Sequence, residues 1–202
     1  MPYELQSLQV FEPRYHQLLE DIGPNGQFGT CLIERGSEVG GGDVRTSIGT
    51  LLQVKMMTPL ASGTTLLFVE GLHRIAVQSW LPEDPYPRAL VVDLDDNDVP
   101  GGDVLSTAKS SVRAVRNLEN EVFVEMATTL CDFDEDPTLA GWQCCAFASM
   151  NQLDRQSVLA KNVANDRLAL VAEICCERYG DLQRQLHAST SRDVTVDDFE
   201  ED

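Results

Sequence analysis

Phe28–Thr50, FGTCLIERGSEVGGGDVRTSIGT, is the stretch that decides the fold class. Phe28, Cys31, Leu32 and Ile33 form an apolar run of strand length, and Glu34, Arg35 and Gly36 close it. Gly40, Gly41, Gly42 and Asp43 then supply a connection that can take positive φ at little steric cost. Apolar character resumes at Ile48, Leu51, Leu52 and Val54. The spacing predicts a strand, a glycine-rich loop and a second strand. The glycines do not form a phosphate loop, because no Lys-Ser/Thr pair and no helix signature follow them.

Toward the N-terminus, Leu8, Val10 and Phe11 mark an extended segment. Pro13 suits the first turn of a helix, and Tyr15, Leu18, Leu19 and Ile22 follow at helical spacing. Gly23-Pro24-Asn25-Gly26 ends that helix, which is expected over 13–22. Phe11 and Tyr15 are expected in the core. Toward the C-terminus, Thr64–Trp80 predicts a long strand, with Gly71 as a bulge or barrel corner. Leu81-Pro82-Glu83-Asp84-Pro85-Tyr86-Pro87 is a stiff loop, and Ala89–Val92 is the last strand.

The acidic, turn-rich segment 93–102 is the best boundary in the chain. Beyond it the apolar period changes. Leu105, Ala108, Val112, Val115, Leu118, Val122, Met126 and Leu130 step by three or four residues, predicting an amphipathic helix capped by Asp103. Asp136-Pro137 opens a second helix, Asp154 a short third and Asn165 a fourth that Gly180 ends or bends. Three segments are therefore expected: a β-rich part over 1–98, a helical bundle over 103–188 and a disordered acidic tail over 189–202.

Composition excludes several classes of function. The net charge of −18, with 15 basic against 33 acidic residues, argues against nucleic acid and against anionic membranes. Lysine occurs only at Lys55, Lys109 and Lys161, so no basic stripe can be built. No apolar run approaches the ~18 residues that a transmembrane helix needs. The first residues lack the basic patch and apolar core of a secretory signal, so the expected compartment is the cytoplasm. Cys31 and Cys131 stand alone, while Cys144-Cys145 and Cys175-Cys176 are adjacent pairs. None makes a C-x-x-C, and the expectation is reduced thiols acting as small hydrophobes. A thiol–metal cluster or a disulfide between helices is the alternative.

Several separate runs resemble the N-terminal, substrate-binding domain of bacterial Lon proteases. They are Val10-Phe11-Glu12-Pro13-Arg14-Tyr15, Ile33 to Gly41 with Gly49-Thr50, Val69-Glu70-Gly71 with Arg74-Ile75, and Asp84-Pro85-Tyr86-Pro87 with Ala89. Leu153 to Leu159 with Arg167-Leu168 resembles the helical half of the same family. The likeness spans roughly 5–187 and Ile75 departs from the family's usual Phe. It implies an α+β fold, a PUA-like β-barrel or curled sheet followed by a C-terminal helical bundle. In that family a strand rich in Leu, Pro and Phe precedes the first motif, and only part of it fits ahead of Val10. The resemblance thus implies a sheet short of one edge strand, or a numbered start inside the natural chain.

No catalytic constellation accompanies the resemblance. The sequence holds no G-x-S-x-G and no H-E-x-x-H, and its paired carboxylates lie in loops without EF-hand spacing. His73 beside Glu70 reads as a solvated pair. Glu34, Arg35 and Arg74 read as a polar network on the sheet, or as a site for a chain terminus. The family's ATPase and Ser–Lys peptidase modules have no counterpart here, so neither activity is expected, and no cofactor, metal or catalytic residue is assigned. Recognition of unfolded or hydrophobic polypeptide segments is the function the resemblance implies, as an adaptor for a protease or a chaperone-like binder. Trp80, Leu81, Pro85 and Tyr86 are the candidate contact residues, since aromatic and proline side chains give contact area at little entropy loss. The alternatives are that Trp80 and Tyr86 seal the junction of sheet and helices, that a pocket between sheet and helices senses a small ligand, or that the chain is an oligomeric scaffold.

Overall fold

The structure, a computed structural model, describes residues 1–35, 43–96, 98–122 and 131–196. The glycine loop at 40–42, the helical turns expected over 123–130 and the tail end at 197–202 lie outside those residues. The fold is α+β. In chain order the elements are β1 (Leu5–Val10), α1 (Pro13–Ile22), β2 (Gln27–Arg35), β3 (Val44–Pro59), β4 (Thr65–Leu81), β5 (Arg88–Asp93), α2 (Gly102–Val122), α3 (Pro137–Phe147), α4 (Gln152–Leu159) and α5 (Ala164–Val196). Two compact units result: Met1–Asp98 with Arg155–Asn162, and Val99–Asp154 with Val163–Asp202.

In the first unit all five strands form one antiparallel sheet, ordered β1-β4-β3-β2, with β5 also paired to β4. β1 covers Thr65–Glu70 of β4 and β5 covers Ile75–Leu81, so the long strand carries two short ones end to end. Gly71 lies between them, at a register shift against β3. A Cβ there would lie 2.0 Å from the Met1 carbonyl oxygen, which is why glycine occupies this corner. α1 starts at Pro13 and stops at Gly23, whose φ of 73° suits glycine and whose N–H caps the Leu19 carbonyl. Leu19, Leu52, Val54, Leu67 and Val69 form the buried core, flanked by Leu8, Val10, Ile22, Phe28 and Met57. Phe11, expected in the core, is 61% exposed because it falls between β1 and α1, outside both apolar patterns.

Arg74 is a buried charge of this unit, 1% exposed. Its guanidinium pairs with Asp96 at 2.6 Å and donates to the carbonyls of Leu159 at 2.9 Å and Lys161 at 2.8 Å. The Leu159 carbonyl ends α4 and Lys161 lies two residues beyond it, so the cation satisfies an orphan acceptor where the helix dipole favours positive charge. The contact explains why 155–162 belongs to the β unit, whereas sequence reading places it among the helices. Arg74 is therefore a clamp, and Glu34 and Arg35 are exposed on β2. His73 pairs with Asp93 at 2.9 Å rather than with Glu70, which bonds Lys55.

In the second unit α2 and α5 bury one face each, whereas α3 has no exposed residue along its length. Leu105, Ala108, Val112, Val115 and Leu118 form the α2 stripe, and Leu168, Val171, Cys175 and Leu182 the α5 stripe. Asp136 caps α3, accepting from the Leu139 N–H at 2.9 Å ahead of Pro137. Asp103 is not a cap; it lies in the first turn of a helix that opens at Gly102. Asn151, not Asp154, opens α4, its Oδ1 accepting from the N–H groups of Leu153 and Asp154. Gly180 does not end α5. The helix runs to Val196, into the segment expected to be disordered, with no Gly or Pro after Gly180 to break it. All six cysteines are free, with Cys144, Cys145 and Cys175 buried and Cys176 exposed. Burial pushes the Cys144 and Cys175 thiols up to about 12.

Candidate functional site

An apolar cavity of about 420 Å³ lies inside the β unit. Leu51, Leu67, Ile75 and Val77 of β3 and β4 form its floor. β1 contributes Leu8 and Val10, β2 contributes Phe28, Thr30, Cys31 and Ile33, and β5 contributes Ala89 and Val91. Tyr15, Leu18 and Leu19 of α1 cover one side, and Trp80, Tyr86 and Pro87 complete the lining. Its size is that of a ligand pocket, with many apolar and few polar groups. A second pocket of about 320 Å³, lined by Asp43, Val44, Leu81 and Glu83, shares Arg45, Trp80 and Pro87 with it.

Two polar ties set the rim. The Tyr86 hydroxyl donates to Asp21 of α1 at 2.7 Å, joining the 82–87 loop to the helix. That bond holds the Asp21 carboxyl below its ordinary range and the Tyr86 phenol above its own. Arg45 on β3 stacks 5.4 Å from the Trp80 ring centre and pairs with Asp43 at 2.9 Å and Glu83 at 3.1 Å. Glu83 also pairs with Arg14 at 3.5 Å, and Arg14 lies against the Tyr15 ring and bonds Glu12. Four carboxylates (Glu12, Asp21, Asp43 and Glu83) thus stand against three guanidinium groups, Arg14, Arg45 and Arg88, the last donating to the Pro82 carbonyl of the same loop at 3.4 Å. Burial pushes the Cys31 thiol up, so this wall is a neutral one at ordinary pH.

Of the four residues singled out from sequence, Trp80 and Tyr86 line the cavity and Leu81 lines the adjoining pocket. Pro85 lines neither; it follows a cis peptide bond after Asp84 and is exposed. Trp80 is 41% exposed and Tyr86 half-buried, so neither ring is sealed off. Sequence reading missed Arg45, Glu83 and Asp21, which matter through partners distant in the chain. It also missed the wall from β1 and α1, whose apolar residues look like ordinary core. Among the described residues no group of three His, Cys, Asp or Glu could hold a metal ion, and no helix is long and apolar enough to cross a membrane.

Comparison with known proteins gives one family over most of the chain. The family model described as the ATP-dependent protease La (LON) substrate-binding domain matches residues 1–177. The "Lon protease" of Brevibacillus choshinensis is 26% identical over 131 residues, covering 63% of this chain and 17% of that protein. Among solved structures, a Lon N-terminal domain protein from Xanthomonas campestris aligns with a TM-score of 0.59 at 23% identity, over 84% of this chain and 88% of that one. The N-terminal domain of a Mycobacterium avium complex Lon protease aligns with a TM-score of 0.59 at 12% identity, over 87% and 91%. These two likenesses speak to the fold.

Proposed function

Because the chain belongs to the family of Lon substrate-binding domains, we propose that it binds unfolded or hydrophobic polypeptide segments at the cavity beside Trp80 and Tyr86. It acts as an adaptor or chaperone-like binder in the cytoplasm, handing clients to a protease or chaperone, and performs neither ATP hydrolysis nor peptide cleavage itself. The observation that carries the reading is an apolar cavity, itself open to solvent, that adjoins a second open pocket, with a half-exposed tryptophan lining both. Two adjoining pockets open to solvent suit a chain that continues beyond its anchor, whereas a metabolite needs enclosure. A small apolar ligand is the second reading, favoured by the cavity volume alone.

Fluorescence anisotropy of a labelled, natively unfolded casein tests the proposal. Saturable binding that Trp80→Ala weakens by about tenfold is expected, a loss of the size seen for anchor residues at interfaces. The casein should remain intact with and without ATP. Absence of binding, or binding indifferent to Trp80, contradicts the reading. A metabolite that raises the melting temperature while casein fails to bind replaces it with the ligand sensor.

A further inference from the structure

Among the described residues β1, β2 and β5 each leave one side unpaired by a strand, and β5, with five of its six residues exposed, is the most exposed of the three. β5 is six residues long and pairs with β4 along one side. Among the described residues, no strand pairs with its other side. Edge strands are ordinarily blunted by charge, proline or a covering element. Between Arg88 and Asp93, β5 instead carries Ala89, Leu90, Val91 and Val92, with Leu90 55% exposed and Val91 and Val92 exposed as well. Alternation along the strand puts Ala89 and Val91 on the cavity side and Leu90 and Val92 on the opposite face. A strand laid beside β5 would therefore meet apolar side chains on both faces and, between them, a backbone edge that no strand of the described residues pairs.

We infer that β5 is a strand-acceptor edge, and that the segment it takes is an extended peptide, apolar on both faces and flanked by Lys or Arg. This rests on the polypeptide-binding reading and specifies its mode. Main-chain hydrogen bonds to β5 supply affinity, while every second side chain of the guest enters the cavity beside Trp80. The charge preference follows from the rim, where Glu12, Asp21, Asp43 and Glu83 outnumber Arg14, Arg45 and Arg88. It follows also from the net charge of −18, which repels acidic flanks and a second copy of this chain alike.

The probe is a labelled peptide in which paired lysines flank six alternating valine and leucine residues, matching the length of β5. Two further peptides carry N-methyl groups on one or the other alternate set of amides. A strand pairs through one edge only, so one methylated set should lower affinity by at least about tenfold and the other leave it within about twofold. Equal behaviour of the two sets overturns strand addition, yet casein binding through Trp80 would survive that result. Glutamate flanks should weaken binding by about tenfold at low salt, with the difference closing as salt rises; equal affinity for lysine and glutamate flanks overturns the charge preference. Leu90→Lys, at an exposed position, should weaken the lysine-flanked peptide without changing the melting temperature. A dimer in sedimentation that Leu90→Lys dissolves would show a second copy on this edge, and would overturn the peptide as its occupant.

Discussion

Each unit holds one tryptophan beneath one arginine, and the two pairs serve opposite ends. Trp142 is 1% exposed, with the Arg167 guanidinium 4.0 Å from its ring centre and Arg167 itself 3% exposed. Trp80 is 41% exposed, and Arg45 stacks more loosely at 5.4 Å while tied to Asp43 and Glu83. The helical pair fills a closed core with Ala140, Cys144 and Cys145 of the same helix. The β-unit pair stands at the mouth of a cavity. Identical side-chain chemistry is thus structural where water is excluded, and available for recognition where the ring keeps an open face.

Paired truncations give the largest effect that would break this contrast. Trp142→Ala should lower unfolding free energy by roughly 3–5 kcal/mol, as for a large core aromatic, and Trp80→Ala by about 1 kcal/mol or less. Urea unfolding of both variants measures the difference. A loss at Trp80 as large as at Trp142 would make Trp80 a core residue and remove it from the site.

The thiols sharpen the same contrast kinetically. Cys144 and Cys175, buried and pushed up to about 12, should resist a thiol reagent at pH 8 until the protein unfolds. Exposed Cys176 should react first, and denaturant without reductant should release six thiols. Rapid native labelling of Cys175, next in sequence to Cys176, would show that the helical unit opens more readily than its packing implies.

The smallest effect concerns the tie between Tyr86 and Asp21. The depressed Asp21 carboxyl contributes stability above the ordinary carboxylate range, lost as pH falls through its folded value. The raised Tyr86 phenol contributes stability below its ordinary range, lost as pH rises through its folded value. The stability difference between the native chain and Tyr86→Phe should therefore be flat across neutral pH and shrink at both extremes. A difference that grows at either extreme would mean the bond is absent in solution.

Most of the fold was legible because local signals agreed with one another. Pro13 and Gly23 bracket α1, Asp136-Pro137 opens α3, and the apolar period changes after the acidic segment 93–102. Failures fell where tertiary partners decide. Nothing local indicates that Arg74 reaches across to the end of α4, so the assignment of 155–162 to the β unit could not be read from sequence. Likewise Trp80 and Tyr86 could be marked as contact residues by type and loop position. The cavity could not, since Leu8, Leu18 and Phe28 line it with the same side chains that would fill a core. Arg45 and Glu83, 38 positions apart, become a rim only through the pairing of strands.

Hydrogen exchange of the whole chain with and without bound casein tests the central claim most directly. The open β unit predicts new protection at β5, at 80–87 and in α1, with α2 and α5 unchanged. Protection confined to α2 or α5, with none over 80–93, would contradict it and move recognition to the helical unit.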